Sequence, residues 1–396
     1  MRPGTIAFHR PARVHPAPVE RDVVVIAAPP AVPEPIGNAV WQVLAPVLGS
    51  AGMVGFALVL GEPRYMVMAG LIAGVMLVSG VNSRVVQVRS ERKRRATAAS
   101  RYRAHLTEIS NRLGRAASLQ RSNAETSHPS PAELPDLVRS GNRTWERRPH
   151  HGDFLTVRLG TGTVDASLAP RLDLSSDPMS EPEPDLLSEA QALETETRHL
   201  PGVPIGVDLS EAGCLAIVGD REAGHRVAAS IISQLSVLCS PSELGLVAHI
   251  PLEAVGEWEW MKWLPHARAS LSGADDARTL VATTADDLDV ILDQIASPRL
   301  EAIERQSSSR GVSERVRFRQ VVILVDGYSP SAEGGCLERL DLILTVAAEI
   351  GVLVVARVDH ADDIPSHAGA TIGIMRSGAL EFSETKPAGA RITHIT

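Results

Sequence analysis

Residues Gly219 to Arg226, GDREAGHR, keep the spacing of a phosphate-binding loop and replace its working side chains. A Walker A loop reads G-x-x-x-x-G-K-[ST]. Its glycines let backbone N–H groups surround phosphate, its Lys reaches the β/γ-phosphates, and its hydroxyl holds Mg²⁺. Here Gly219 and Gly224 occupy the glycine positions, but His225 stands where the Lys belongs and Arg226 where the Ser or Thr belongs. Roughly one hundred residues later Asp326 follows the apolar run VVILV, the position of a Walker B aspartate that would hold Mg²⁺. Gly327 comes next, so the usual neighbouring carboxylate that polarises water is missing. Asp326 could equally cap the following turn. These losses predict no ATP hydrolysis by this chain, and no required cofactor. Backbone N–H groups, Arg221 and Arg226 could still hold phosphate, so binding of ATP with Mg²⁺ without turnover stays open.

Such a loop works only between a buried strand and a helix, and the surrounding sequence supplies both. Strands are expected at 203–207, 214–218, 244–250, 279–283, 321–325, 352–358 and 371–374, and helices at 222–239, 286–296, 299–307 and 337–350, with Gly351 stopping the last. This alternation predicts an α/β domain with a parallel sheet, and runs such as VVILV and VLVVA fit strands buried on both faces. Trp258, Trp260 and Trp263 place three of the five tryptophans within six residues, as an interface anchor or as a turn packed over the sheet.

The N-terminal half reads differently. Val40 to Leu60 contains 21 residues without a charge, and Met66 to Val81 is a second uncharged run, separated by Gly61 to Tyr65 (GEPRY). The first suits the ~20 residues that cross a hydrocarbon core. Arg2, Arg10, Arg13 and Arg21 precede the pair and Arg84, Arg89, Arg92, Lys93, Arg94 and Arg95 follow it, which predicts a two-pass hairpin in the inner membrane with both termini cytoplasmic. The first apolar run begins too far in for a cleaved signal peptide. From Arg84 to Arg121 eleven basic residues face only Glu91 and Glu108; directly after a membrane span, such a run suits anionic lipid headgroups better than nucleic acid.

Residues 96–119 are expected as a helix in which Tyr102, Leu106, Ile109, Leu113 and Ala116 form one stripe, for a stalk or for packing on the chain's own domain. Trp145 to Thr163 alternates as a strand, a small β-element ahead of the acidic stretch Ser175 to Glu196. His150, His151 and Asp153 read as solvated rather than as metal ligands, and no metal is expected. The three cysteines, Cys214, Cys239 and Cys336, cannot form a disulfide framework, and the formal charge of -8 hides the basic stretch. At 396 residues the chain divides into a tail (1–37), a transmembrane hairpin (38–83), a basic helical stalk (84–125), a β-element with linker (126–200) and the α/β domain (201–396).

The order of features resembles the N-terminal part of EccC, the FtsK/SpoIIIE-type membrane subunit of actinobacterial type VII (ESX) secretion systems. The resemblance runs through FHRPAR (8–13), the hairpin, HPSPAELP, TWERRP with DFLTVRLGTGT, IGVDL with LAIVGD, WEWMKWLPH and VVILVDGY. WERRP followed by DFLxVRLG is its most specific piece. It implies a P-loop NTPase-like (RecA/FtsK-type) sheet domain, the membrane-proximal one of the family, and an oligomeric membrane complex with EccB, EccD and EccE types. It also implies further ATPase modules or a separate motor subunit. Three functional readings follow: an inactive ATPase-like subunit for assembly or regulation, an active or nucleotide-regulated ATPase powering export, and a DNA-translocating relative, which lacks a competent motor and a basic DNA-binding domain.

Overall fold

The computed structural model describes residues 8–31, 48–49, 51–52, 55, 59, 63–175, 181–269, 278–308, 318–329, 338–384 and 391–395. The elements run β1 (Asp22–Ala27), α1 (Pro63–Ser127), β2 (Thr156–Asp165), β3 (Leu168–Asp173), α2 (Pro184–Arg198), β4 (His199–Asp208), β5 (Cys214–Val218) and α3 (Arg221–Leu238). They continue with β6 (Leu244–His249), β7 (Arg268–Ala269), β8 (Arg278–Thr279), β9 (Val281–Ala282), α4 (Ala285–Ser308), β10 (Gln320–Asp326), α5 (Glu338–Ile350), β11 (Val352–Val358), β12 (Ala370–Ile374), β13 (Leu380–Glu384) and β14 (Arg391–Ile395). Two compact units result: Glu20–Ala117 with Asp165–His199, and Met1–Val19 with Ser118–Val164 and Leu200–Thr396.

The first unit is built on α1. Pro63 starts it, where a missing N–H costs nothing, and the helix runs for 65 residues without interruption. It absorbs Pro63 to Tyr65 of the expected loop and extends the expected 96–119 helix at both ends. Tyr102, Leu106, Ile109 and Leu113 are buried against Val24 and Ile26 of β1, Leu168 of β3 and Leu186 and Ala190 of α2. The stripe therefore packs on the chain's own elements. β1 and β3 form a two-stranded parallel sheet, and the Tyr102 hydroxyl donates to the Ala27 carbonyl at 2.8 Å. Near its start α1 exposes Val67, Met68, Leu71, Val75, Val78 and Val81. Among the described residues this is the one helix long and apolar enough to cross a membrane, from Gly70, with mean hydropathy 1.5 in its most apolar window. Most of the first expected span, 40–60, lies outside the described residues.

The second unit is a ten-stranded sheet ordered β4-β2-β14-β13-β12-β5-β11-β10-β6-β9. From β12 to β9 neighbours are parallel, whereas β12–β13, β13–β14 and β14–β2 are antiparallel. The expected all-parallel sheet is thus corrected to a mixed one. Its antiparallel part comes from two C-terminal strands not anticipated and from β2, which starts at Thr156 and joins the main sheet instead of forming a separate β-element. Residues 126–200, expected as one piece, are divided between the units, and the 1–37 tail contributes to both. The expected helices 286–296 and 299–307 are one helix with Pro298 inside it. The strand expected at 279–283 is only the short β8 and β9.

Alternate strand residues feed two cores. Leu215, Ile217, Leu246, Val322, Leu324, Leu353 and Val355 pack beneath α3; Val321, Ile323, Val325, Val352, Val354 and Ala356 pack beneath α4 and α5. This two-sided burial is why the central strands read as continuous apolar runs. It also places the even-numbered residues of β10 and the odd-numbered residues of β11 on the α3 side, Asp326 and Arg357 among them.

Candidate functional site

The site lies at the C-terminal ends of β5, β11 and β10, where open α/β sheets place their ligand crevices. β5 ends at Val218 and α3 begins at Arg221. Residues 221–226 of the loop frame are the first turns of that helix, which starts one residue before the helix expected at 222–239. Asp220 is the helix cap: its carboxylate accepts from the Ala223 N–H at 3.1 Å, and its carbonyl accepts from the Gly224 N–H at 2.8 Å. The N–H groups that a phosphate-binding loop offers to its ligand are here taken up partly by a carboxylate of the chain itself. Gly219 retains a positive φ of 139°, and a Cβ there would lie 2.9 Å from Cβ of Ile374.

Asp326 sits at the end of β10 as expected, and is 1% exposed. Its register partner on β11 is Arg357, also buried, whose Nε donates to Asp326 Oδ1. Trp258 Nε1 donates to Oδ2 at 2.8 Å, so both carboxylate oxygens have partners. Arg357 also donates from Nη1 to Asp359 Oδ1 at 2.5 Å. Burial opposes its charge, yet the hydrogen bonds to Asp326 and Asp359 leave its pKa above the ordinary value. The stem of Arg357 crosses Gly224, where a Cβ would stand 3.1 Å from both Cγ and Cδ.

His225 joins the same cluster. Its ring meets Trp258 edge to face at 4.5 Å between centroids, and Trp258 lies 5.9 Å from Trp260. Nδ1 of His225 stands 3.6 Å from a Glu257 oxygen but is buried without a hydrogen-bond partner. His225, Glu257 and Asp326 offer ligand atoms within 4.8 Å of one another. Arg226 is elsewhere: it pairs at 2.6 Å with Glu222, one turn back on the exposed side of α3. Of the five candidate residues, then, Gly224, His225 and Asp326 converge, Gly219 shapes the turn, and Arg226 faces solvent. The tryptophan cluster divides between core and surface, Trp258 being 2% and Trp263 72% exposed.

Arg357 was not anticipated. Its signal was present: VLVVARV is a buried strand with one charge in it, and a buried charge requires a buried counter-charge. Asp326 fulfils that role.

A second cluster of buried charge lies in the same unit. Glu146, of the WERRP segment, is fully buried and accepts from Arg13 at 2.6 Å, Arg143 at 2.5 Å and the Val14 N–H at 3.3 Å. Arg10 donates to the Trp145 and Arg147 carbonyls at 2.8 and 2.7 Å and to Glu243 at 2.8 Å. Residues 8–17 are thereby fastened to the sheet unit. The end of α1 is held there as well: Arg143 donates to the Thr126 carbonyl at 2.8 Å, Arg147 to that of Ser127 at 2.8 Å and Arg158 to that of His128 at 3.2 Å. These are carbonyls that a helix end leaves without partners. Burial, then the charge of Arg147, lowers the His128 pKa to about 4. Asp153 pairs with Arg13, and His151 accepts from the Arg148 N–H at 3.2 Å. Cys214 and Cys239 are buried free thiols, pushed up to about 12 chiefly by burial; Cys336 lies outside the described residues.

No family model matches the chain. It is 26% identical over 334 residues to the ESX secretion system protein EccC of Thermomonospora curvata, covering 83% of this chain and 24% of that protein. It is 28% identical over 349 residues to EccC3 of the Mycobacterium tuberculosis ESX-3 system, covering 83% and 25%. With the type VII secretion system protein EssC of Staphylococcus aureus the identity is 25% over 373 residues, covering 93% and 24%. The chain spans about a quarter of the length of these curated relatives. Among solved structures, ATPases 2 and 3 of Thermomonospora curvata EccC in complex with a signal sequence peptide align over 55% of this chain and 50% of theirs, at 12% identity and TM-score 0.36. The cytoplasmic domain of EssC aligns over 66% and 46%, at 12% identity and TM-score 0.34. The chain is a relative of the EccC and EssC proteins of ESX (type VII) secretion systems.

Proposed function

We propose that this chain is a membrane-anchored, ATPase-like subunit of a type VII secretion complex that acts in assembly or control of the motor and does not itself turn over ATP. The observation that carries the reading is the Asp326–Arg357 pair beside a capped helix. A phosphate entering at α3 would meet the Asp220 carboxylate, and Mg²⁺ approaching Asp326 would meet a guanidinium already in place. Mg·ATP does not fit these residues as they stand. Restoring the missing loop residues with the double variant His225→Lys/Arg226→Thr leaves both obstacles and is expected to give no turnover.

The anchoring part of the proposal is a two-pass hairpin with both ends cytoplasmic. Its support is that the chain belongs to the same units before and after the apolar region. Residues 8–17 are bound by Glu146 and Asn123, and β1 pairs with β3. A single crossing would place those contacts on opposite sides of a bilayer, which supports an even number of crossings. The exposed apolar start of α1 is one of them, and 40–60 is the candidate for the other. Arg84, Arg89, Arg92, Lys93, Arg94 and Arg95 of α1 follow the apolar stretch and would meet the lipid headgroups. The secretion setting rests on EccC and EssC; EccB, EccD and EccE types are the proposed partners, with ATPase modules of a longer chain or a separate subunit supplying the motor.

Two assays test the proposal. The purified intact chain is expected to release phosphate from ATP at the background rate, and gentle detergent extraction from its host is expected to recover other membrane components of the secretion complex. Robust Mg²⁺-dependent turnover by the unmodified chain would overturn it.

A further inference from the structure

We infer that Arg357 is a built-in cation that takes the place of a divalent metal at Asp326, holding shut a metal site formed by His225, Glu257 and Asp326. The inference deepens the proposed reading, on which it rests for the identity of the cleft. Asp326 is 1% exposed at the end of a buried strand, and a carboxylate in such a place must be neutralised. In a phosphate-binding site that partner is a metal held by the aspartate. Here it is the guanidinium of the residue in register on the next strand.

Two glycines of the motif fit this residue. Gly224, the second glycine of the loop frame, makes room for the aliphatic stem of Arg357, which passes 3.1 Å from the place of its missing Cβ. Gly327, standing where a water-polarising carboxylate would follow the aspartate, has φ 79°, and its missing Cβ would lie 3.4 Å from Nη2 of Arg357. The retained glycine at 224 is thus explained by the stem of Arg357, and the glycine at 327 by its positive φ. An independent sign of the closed metal site is His225: its Nδ1 is buried, lacks a hydrogen-bond partner and stands beside Glu257. With the guanidinium removed, imidazole nitrogen and two carboxylates within 4.8 Å form a donor set suited to Mn²⁺ or Zn²⁺.

Thermal unfolding of the intact chain in detergent, with Mn²⁺ or with EDTA, tests the inference. The wild type is expected to have the same Tm in both. Arg357→Met leaves Asp326 buried and charged; its Tm in EDTA is expected to fall by about 10 °C and to recover in Mn²⁺, with one ion bound per chain by electron paramagnetic resonance. Adding His225→Ala should remove that recovery. The double variant Asp326→Asn/Arg357→Met should regain most of the lost stability without metal and ignore Mn²⁺, and it decides the matter even if Arg357→Met alone fails to fold. Mn²⁺ acting equally on wild type and Arg357→Met, or a double variant no more stable than Arg357→Met, would overturn the inference. ATP turnover by the wild type would instead sink the proposed function and leave these unfolding results standing.

Discussion

Glu146 and Asp326 are both buried carboxylates answered by arginine, and they do different work. One partner of Glu146, Arg13, lies far off in the sequence, ahead of the apolar region; the other, Arg143, is three residues before it, after α1. Asp326 is answered from the adjacent strand of the same sheet. One arrangement ties separate chain segments together; the other fills a cleft. The same chemistry of charge and burial therefore yields a fastening where one partner, Arg13, comes from the segment ahead of the apolar region, and a closed site where the partner stands on the neighbouring strand.

The largest expected effect is at the fastening. Glu146→Ala leaves Arg143 without its carboxylate, Arg13 with Asp153 alone and the Val14 N–H without its acceptor, which together are expected to cost about 3–5 kcal/mol in denaturant unfolding and to expose residues 8–17 to protease. Intact protection of that segment in the variant would break the comparison. Asp326→Asn should cost less, about 1–3 kcal/mol, because Arg357 keeps Asp359, and it should leave residues 8–17 protected.

An acid-sensitive part of the fastening sharpens the contrast. Burial lowers the pKa of His128 to about 4, and likewise that of His266, whose ring stands edge to face with Trp145 of the WERRP segment. The unfolded chain takes up these protons near pH 6.5, so the stability is whole above that pH and is lost progressively as pH falls to about 4, by up to ~3 kcal/mol per histidine. Replacing His128 by Gln should remove one proton from the pH slope of unfolding. The smallest effect is at the rim of the cleft, where Arg226→Ala, breaking an exposed pair with Glu222, should change stability by less than about 0.5 kcal/mol.

What the sequence made legible follows the strength of its periodic signals. The runs CLAIV, VVILV and VLVVARV declared buried strands, and Tyr102, Leu106, Ile109 and Leu113 declared one helix face, because burial repeats at fixed spacing. Strands β13 and β14 went unseen: LEFSE and RITHI are short and half polar, and they gain their place by pairing along the sheet. The glycines, His225 and Asp326 were found by spacing, but Arg357 belongs to no motif and meets Asp326 only through strand register. The helix expected from 222 already overlaps the loop frame, but spacing does not show that Asp220 occupies its cap.

The central claim is that the cleft is already filled by the chain's own charges. Calorimetric titration of Mg·ATP into the intact wild-type chain tests it most directly. The account predicts no saturable heat up to millimolar nucleotide; a one-to-one isotherm that Asp326→Asn abolishes would contradict it.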